Sequence, residues 1–140
     1  MTRYQNHNMF NGLDHVAIAV EDTQEALRTW RDKFGFKVLY SEKVNNDSVL
    51  LTHLDLGNTQ LQLVQPLISP HPLWDWLKKN GGPGLHHFCL KVDNVSEASK
   101  SLKSMNLEGA LKSHQGTQGK RALFINAETT SGVQVELTGE

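Results

Sequence analysis

The sequence contains little that would tie the chain to a disulfide scaffold, a nucleic acid or a membrane. Its single cysteine, Cys89, cannot form an intramolecular disulfide, so the chain suits a reducing compartment. With 14 basic and 15 acidic residues, the formal net charge is −1, which gives no electrostatic basis for binding nucleic acid or an acidic membrane surface. No apolar run is long enough to span a bilayer, and the first ten residues, MTRYQNHNMF, are too polar for a signal peptide. We therefore expect a cytoplasmic protein that binds neither nucleic acid nor membranes.

What the sequence does contain is an internal repeat. Residues 13–22, LDHVAIAVED, return at a shift of 72 as residues 85–94, LHHFCLKVDN. Each segment alternates like a strand and ends in an N-cap residue, Asp22 or Asn94, with glutamate three positions later as in a capping box. An apolar stripe at helical spacing follows each cap, formed by Ala26, Trp30 and Phe34 and by Ala98, Leu102 and Met105. The repeat predicts a duplicated strand–helix unit.

Three strands are predicted after each helix. They fall at 36–43, 48–56 and 59–65 in the first half and at 109–114, 120–126 and 132–138 in the second. Asn45-Asn46-Asp47 marks the turn between the first two. Both halves therefore read βαβββ, which predicts an α+β fold in which 140 residues form one domain. Its modules are predicted at about 12–66 and 85–139, joined by a linker at about 67–84 that holds a short helix around residues 73–79.

The polar faces of the repeated strands carry four candidate metal ligands. His15 and His87 occupy equivalent positions in the first strand of each module. The last strands, TQLQL and VQVEL, match at a shift of 74 and place Gln62 and Glu136 opposite their apolar faces. One strand histidine alone is usually a core or surface residue, so the prediction depends on all four recurring in equivalent register. Two imidazoles, an amide oxygen and a carboxylate suit a borderline divalent ion, whereas the lack of paired cysteines argues against structural zinc.

The chain resembles a known superfamily from about Leu13 to Leu137. The segments LDHVAIAVED, LGNTQLQLVQPL, LKKNGGPGLHHFCLKVDN and GTQGKRALFINAETTSGVQVEL are similar to the vicinal oxygen chelate (glyoxalase/bleomycin resistance/dioxygenase) superfamily, and most of all to its methylmalonyl-CoA epimerases. The resemblance implies paired βαβββ modules around a metal cleft and a homodimer. It implies one divalent ion per chain (cobalt, nickel, manganese or zinc) held by the four candidate ligands. It also implies an acyl-CoA thioester substrate whose two epimers interconvert through a metal-stabilised enediolate.

Epimerisation requires a base on one face of the reacting carbon and an acid on the other. Glu136 is the first candidate for one of these roles. For the other, some family members carry a third-strand glutamate where this chain has Leu51, which cannot move a proton. His53, on the same strand face, is the candidate substitute, although a packing or surface histidine is the alternative. Lys120 and Arg121, after the glycines of QGTQGK, are expected to hold a substrate carboxylate or CoA phosphate, unless they are solvated strand-edge charges.

Four neighbouring residues have weaker claims to function. Cys89 shares the face of His87 and is expected to fill space rather than act as a nucleophile. Strand alternation predicts that His86 faces away from the metal site. Trp74 and Trp76 of the linker helix are expected either to cover the cleft or to pack at a dimer contact.

Three other functions remain open on the sequence. A lactoylglutathione lyase (glyoxalase I) uses similar ligands to move a proton on a hemithioacetal. An extradiol dioxygenase would use His15, His87 and Glu136 as a facial triad on Fe(II), with Gln62 idle. A drug-sequestering binding protein shares the fold without needing metal, and the filled ligand positions argue against it.

Overall fold

The computed structural model describes residues 9–110 and 112–140, and its order of elements repeats as the sequence predicts. The strands are β1 (Phe10–Ala19), β2 (Lys37–Val44), β3 (Val49–Asp55), β4 (Gln60–Pro66), β5 (Gly84–Val92), β6 (His114–Gln115), β7 (Arg121–Phe124) and β8 (Val135–Gly139). The helices are α1 (Thr23–Leu27), α2 (Pro72–Asn80) and α3 (Val95–Leu102). The sequence βαβββ therefore occurs twice, with α2 between the copies, which confirms the α+β fold. None of the helices in the described ranges is long and apolar enough to cross a membrane.

The chain folds as two compact units, and the division falls within β1 and within β5. One unit is His15–Phe88, and the other combines the described residues before His15 with Cys89–Glu140. The single domain, with modules at 12–66 and 85–139 and a linker at 67–84, stays a prediction. The first eight residues, on which the expectation about a signal peptide partly depends, lie outside the described residues, as does Leu111.

In the His15–Phe88 unit, β2, β3 and β4 follow the predicted strands to within one residue. β1 runs parallel to β4, while β2, β3 and β4 form an antiparallel meander. The turn between β2 and β3 has three consecutive residues of positive φ, Asn45 at 54°, Asn46 at 58° and Asp47 at 57°. Asparagine and aspartate tolerate this left-handed region better than other non-glycine residues, so their side chains explain the turn, which is confirmed.

The two faces of this sheet are covered by different helices. The face under α1 is apolar, and its buried members are Ile18, Val20, Leu27, Leu54, Leu61 and Leu63. On the opposite face, α2 packs Leu73 and Leu77 against a cluster that includes Ala17, Ala19, Leu51 and Val64. Strand alternation puts His15, His53 and Gln62 on this same second face. The face therefore has an apolar end under α2 and a polar end.

The helical stripe that the sequence predicts after Asp22 is wrong at its last member, Phe34. Trp30 packs against the core under α1, but Phe34 is 60% exposed. The reason is that α1 continues as a π-helical segment, Arg28–Lys33, in which the Phe34 amide donates to the Thr29 carbonyl at 3.0 Å. Each residue of a π-helix turns the chain through a smaller angle, so Phe34 rotates out of the stripe. It stacks on Trp30 instead, with ring centroids 5.0 Å apart.

The second unit contains shorter strands than predicted. β6, β7 and β8 pair antiparallel, but β6 has only two residues. Among the described residues of the predicted strand at 109–114, those before β6 contribute an isolated bridge from Gly109 to Ile125. Beyond β7, the Asn126 side chain accepts a hydrogen bond from the Glu128 amide at 3.1 Å and begins a 3₁₀ turn. Because such side-chain bonds compete with ladder bonds, β7 ends at Phe124 and β8 begins only at Val135.

The predicted helix caps are confirmed, and they support a test of stability. The Asp22 carboxylate accepts from the Glu25 amide at 3.1 Å, and the Asn94 side chain accepts from the Glu97 amide at 2.9 Å. We expect Asn94→Ala to lower the free energy of unfolding by about 1 kcal/mol, because it removes an acceptor for an otherwise orphaned helix amide. Urea denaturation measures this, and Asn94→Ser is the control that should retain most of the stability. Equal losses in both variants would contradict a capping role.

Candidate active site

The polar end of the second face buries a cluster of polar side chains within the His15–Phe88 unit. Their exposed fractions are 2% for His15, 1% for His53, 3% for Gln62 and 9% for His87. Burying a polar group costs free energy unless a partner compensates for the lost water. A buried set of three imidazoles and an amide is therefore typical of a ligand site rather than of an apolar core.

The rings of His15 and His87 have a separation that fits one shared metal ion. Their centroids are 5.5 Å apart and their planes meet at 76°. Imidazole nitrogens coordinate zinc at about 2.1 Å, so two rings on one ion have centroids roughly 5 Å apart. The separation of the His15 and His87 rings is therefore compatible with coordination of one ion by both.

Two glutamines point to this face, and their contacts distinguish them. Gln60 lies directly opposite His15 in the β1–β4 register, while Gln62 lies opposite Ala17 on β1 and His53 on β3. The Gln60 side-chain oxygen is 3.1 Å from Nδ1 of His53 and accepts a hydrogen bond from it. Because Gln60 is engaged in this way, the more deeply buried Gln62 remains the candidate amide ligand.

His53 lies beside the histidine pair. Its ring stacks on Tyr40 at 4.4 Å and meets His15 edge to face at 6.3 Å. Donation from Nδ1 to Gln60 puts the proton of the neutral ring on Nδ1, so Nε2 carries the lone pair that a general base needs. Leu51, where some family members carry a glutamate, belongs to the apolar cluster under α2. His53 lies two residues farther along β3 on the same face, and it is the titratable side chain nearest to Leu51 on that face of the strand.

His86 contacts His87 directly, although alternation predicts that it faces away from the metal site. Nδ1 of His86 is 2.8 Å from Nδ1 of His87, and the ring of His86 meets Trp76 edge to face at 5.0 Å. Trp76 and Trp74 both pack against the apolar cluster under α2. Their predicted role in covering the cleft or pairing protomers stays a prediction. This contact between His86 and His87 was not predicted, although the two histidines are adjacent in the sequence.

Glu136 lies in the unit that contains Cys89–Glu140, and His114, which was not predicted to be a site residue, forms a hydrogen bond with it. The Glu136 side chain is 9% exposed, and its Oε2 accepts a hydrogen bond from Nε2 of His114 at 2.7 Å. His114 stacks on Phe124, which lies directly opposite Glu136 in the β7–β8 register. The imidazole therefore fixes the orientation of the carboxylate.

The two predicted substrate-binding cations point to different faces. The Arg121 guanidinium donates to the Ser96 hydroxyl at 3.1 Å, on the side of β7 that faces α3. Alternation along the extended chain puts Lys120 with Ala122 and Phe124, and hence on the face of Glu136. Both side chains are exposed. Of the two residues, Lys120 shares the face of Glu136, and the substrate-binding roles of both stay predictions.

Cys89 is fully buried in the same unit as Glu136. Burial raises the pKa of its thiol far above the usual range, and the Glu136 and Asp14 carboxylates raise it further. The thiol therefore stays neutral at physiological pH and is a poor nucleophile. This supports the space-filling role expected from the sequence.

Comparison with known proteins identifies the family of the chain and several similar proteins. The profile of the Glyoxalase/Bleomycin resistance protein/Dioxygenase superfamily matches residues 14–124. The chain is 36% identical over 126 residues to the mitochondrial methylmalonyl-CoA epimerase of Mus musculus, covering 89% of this chain and 71% of that protein. Among solved structures, methylmalonyl-CoA epimerase from Mycobacterium tuberculosis superposes with a TM-score of 0.86 at 27% identity, covering 99% of this chain and 92% of the other. A variant of the Streptomyces coelicolor epimerase in complex with 2-nitronate-propionyl-CoA superposes with a TM-score of 0.82 at 26% identity, covering 94% and 98%.

Proposed function

We infer that this chain, which belongs to the glyoxalase/bleomycin resistance protein/dioxygenase superfamily, is a metal-dependent methylmalonyl-CoA epimerase. Epimerase activity on a CoA thioester follows from its similarity to epimerases over nearly the whole chain. The buried pair of His15 and His87 is the structural observation that carries the metal dependence. We also propose a cytoplasmic homodimer, whose mass light scattering would measure. The buried thiol of Cys89 is compatible with a reducing compartment.

For the metal we propose the four ligands that the sequence predicts: His15, Gln62, His87 and Glu136. The donor set of two nitrogens and two oxygens suits cobalt, nickel, manganese or zinc. The burial of all four side chains and the 5.5 Å separation of the imidazoles support the assignment. When bound, the ion supplies Lewis acidity that stabilises the negative charge developing on the carbonyl oxygens of the substrate.

The residues of the chain would then move the proton. We propose that Glu136 and His53 are the two acid–base groups that act on C2, the carbon between the thioester and the carboxylate. One removes the C2 proton, and the other returns a proton to the opposite face. The hydrogen bond from His114 orients Glu136, and that from His53 to Gln60 favours a basic Nε2. Lys120 is the proposed partner of the substrate carboxylate, with Arg121 as the weaker candidate.

Exchange of the C2 proton with solvent tests this function. In D₂O, the metal-reconstituted protein is expected to incorporate deuterium at C2 of methylmalonyl-CoA while it interconverts the epimers. The reason is that a proton held on a side chain exchanges with water before it is returned. Mass spectrometry of the recovered thioester measures the incorporation. The hemithioacetal of methylglyoxal and glutathione is the control substrate, and it should not be converted. Turnover of that compound without exchange on methylmalonyl-CoA would overturn the epimerase in favour of a glyoxalase.

A further inference from the structure

We propose that His86 is a positioning residue that orients His87 and fixes which of its ring nitrogens faces the metal. The proposal rests on the metal site proposed above. Its basis is the 2.8 Å contact between Nδ1 of His86 and Nδ1 of His87, together with ring centroids 5.1 Å apart at an interplanar angle of 80°. Strand neighbours normally point to opposite faces, so a direct bond between their side chains is a specific arrangement.

The proton in this contact decides the orientation of His87. Only one of the two Nδ1 atoms can donate the bond, and the other must accept it. If Nε2 of His87 binds the ion, Nε2 must be unprotonated, and the ring proton of neutral His87 is then on Nδ1. Nδ1 of His87 therefore donates to Nδ1 of His86, whose own proton is on Nε2. Such a bond fixes the tautomer and the ring plane of a ligating histidine and increases its basicity.

His86 is itself held in place by α2. Trp76 meets the His86 ring at 5.0 Å and packs against the apolar cluster under this helix. Two residues before His86, Gly84 allows β5 to pass close to α2, since an added Cβ there would lie 3.4 Å from the Trp76 ring and 2.6 Å from Nδ2 of Asn80. Asn80 in turn donates to the Gly82 carbonyl at 2.9 Å. The predicted linker helix thus supports the second imidazole that contacts His87.

Two substitutions separate a hydrogen-bonding role of His86 from a packing role. His86→Asn keeps an acceptor close to the position of Nδ1, whereas His86→Phe keeps a ring against Trp76 but has no acceptor. In calorimetric titration of the metal-free protein with Co²⁺, we expect His86→Phe to weaken binding by about 10- to 100-fold. His86→Asn should stay within roughly threefold of the unsubstituted protein because it can accept the same bond. The visible absorption of bound Co²⁺ should change in the phenylalanine variant and be retained in the asparagine variant.

The outcomes distinguish this proposal from the proposed function. Equal Co²⁺ affinity in the unsubstituted and His86→Phe proteins would overturn the positioning role while leaving the metal site intact. Equal weakening in both variants would also overturn it, because it would indicate packing rather than acceptance of a bond. If the unsubstituted protein binds no Co²⁺, both the metal site and this inference fail. Thermal unfolding of the metal-free proteins checks that they fold, and His86→Leu replaces His86→Phe if the latter does not.

Discussion

Replacing His87 with alanine is expected to abolish stoichiometric Co²⁺ binding and to lower epimerase activity by at least roughly 1,000-fold, while the protein still folds. The activity loss follows because Lewis-acid stabilisation of the developing charge is worth several kcal/mol, and each 1.4 kcal/mol is a factor of ten in rate. The fold should survive because His87 belongs to neither apolar cluster described for the His15–Phe88 unit. Its removal therefore leaves the packing of α1 and α2 unchanged.

Metal analysis of the purified and cobalt-reconstituted protein measures the loss of cobalt, and the rate of epimer interconversion measures the loss of activity. Thermal unfolding of the metal-free protein checks that the variant still folds. His71→Asn is a matched control. His71 is a histidine of the same unit whose side chain caps α2 by accepting from the Leu73 amide at 3.1 Å, and asparagine is also a favoured cap. This control should bind cobalt and turn over normally. Full cobalt occupancy in the His87→Ala variant would contradict the ligand assignment.

The features that the sequence predicts correctly are those with local causes. The caps at Asp22 and Asn94 satisfy amides three residues away, and the left-handed turn at 45–47 depends only on its own side chains. The repeat extends this local information to the order of elements, since each copy predicts the other. For the candidate site, strand alternation alone places His15 and Gln62 on one face of the sheet.

Two of the features that could not be predicted depend on contacts between strands. Glu136 and His114 are 22 residues apart, and only the pairing of β6, β7 and β8 brings them within hydrogen-bonding distance. In the same way, the hydrogen bond between His53 and Gln60 joins two adjacent strands and could not be predicted from either strand alone. The π-helical turn that exposes Phe34 is a local feature, but it could not be predicted because the hydrophobic period of the sequence is also compatible with an ordinary α-helix there.

The two proposed proton-transfer groups are expected to be separable by Glu136→Gln and His53→Phe. Each substitution should lower the rate of epimer interconversion by about 10²- to 10⁴-fold, the usual contribution of one acid–base group. Glutamine at position 136 keeps a side-chain oxygen that can bind the metal, as proposed for Gln62, so the metal should be retained. Metal analysis of the variant checks this. Phenylalanine keeps the ring that stacks on Tyr40, so the strand packing should be retained as well.

Neither variant should lose proton exchange completely, because the remaining acid–base group can still remove a proton from one face of C2 and return one to the same face. When (2R)- and (2S)-methylmalonyl-CoA are supplied separately in D₂O, each variant should incorporate deuterium into one epimer without inverting it. The two variants should act on opposite epimers, whereas the unsubstituted protein labels both. Mass spectrometry after separation of the epimers measures this selectivity. If His53→Phe labels both epimers as fast as the unsubstituted protein, His53 is not the second acid–base group and only packs on Tyr40. If Glu136→Gln, with its metal still bound, labels both epimers as fast as the unsubstituted protein, Glu136 is a metal ligand that transfers no proton.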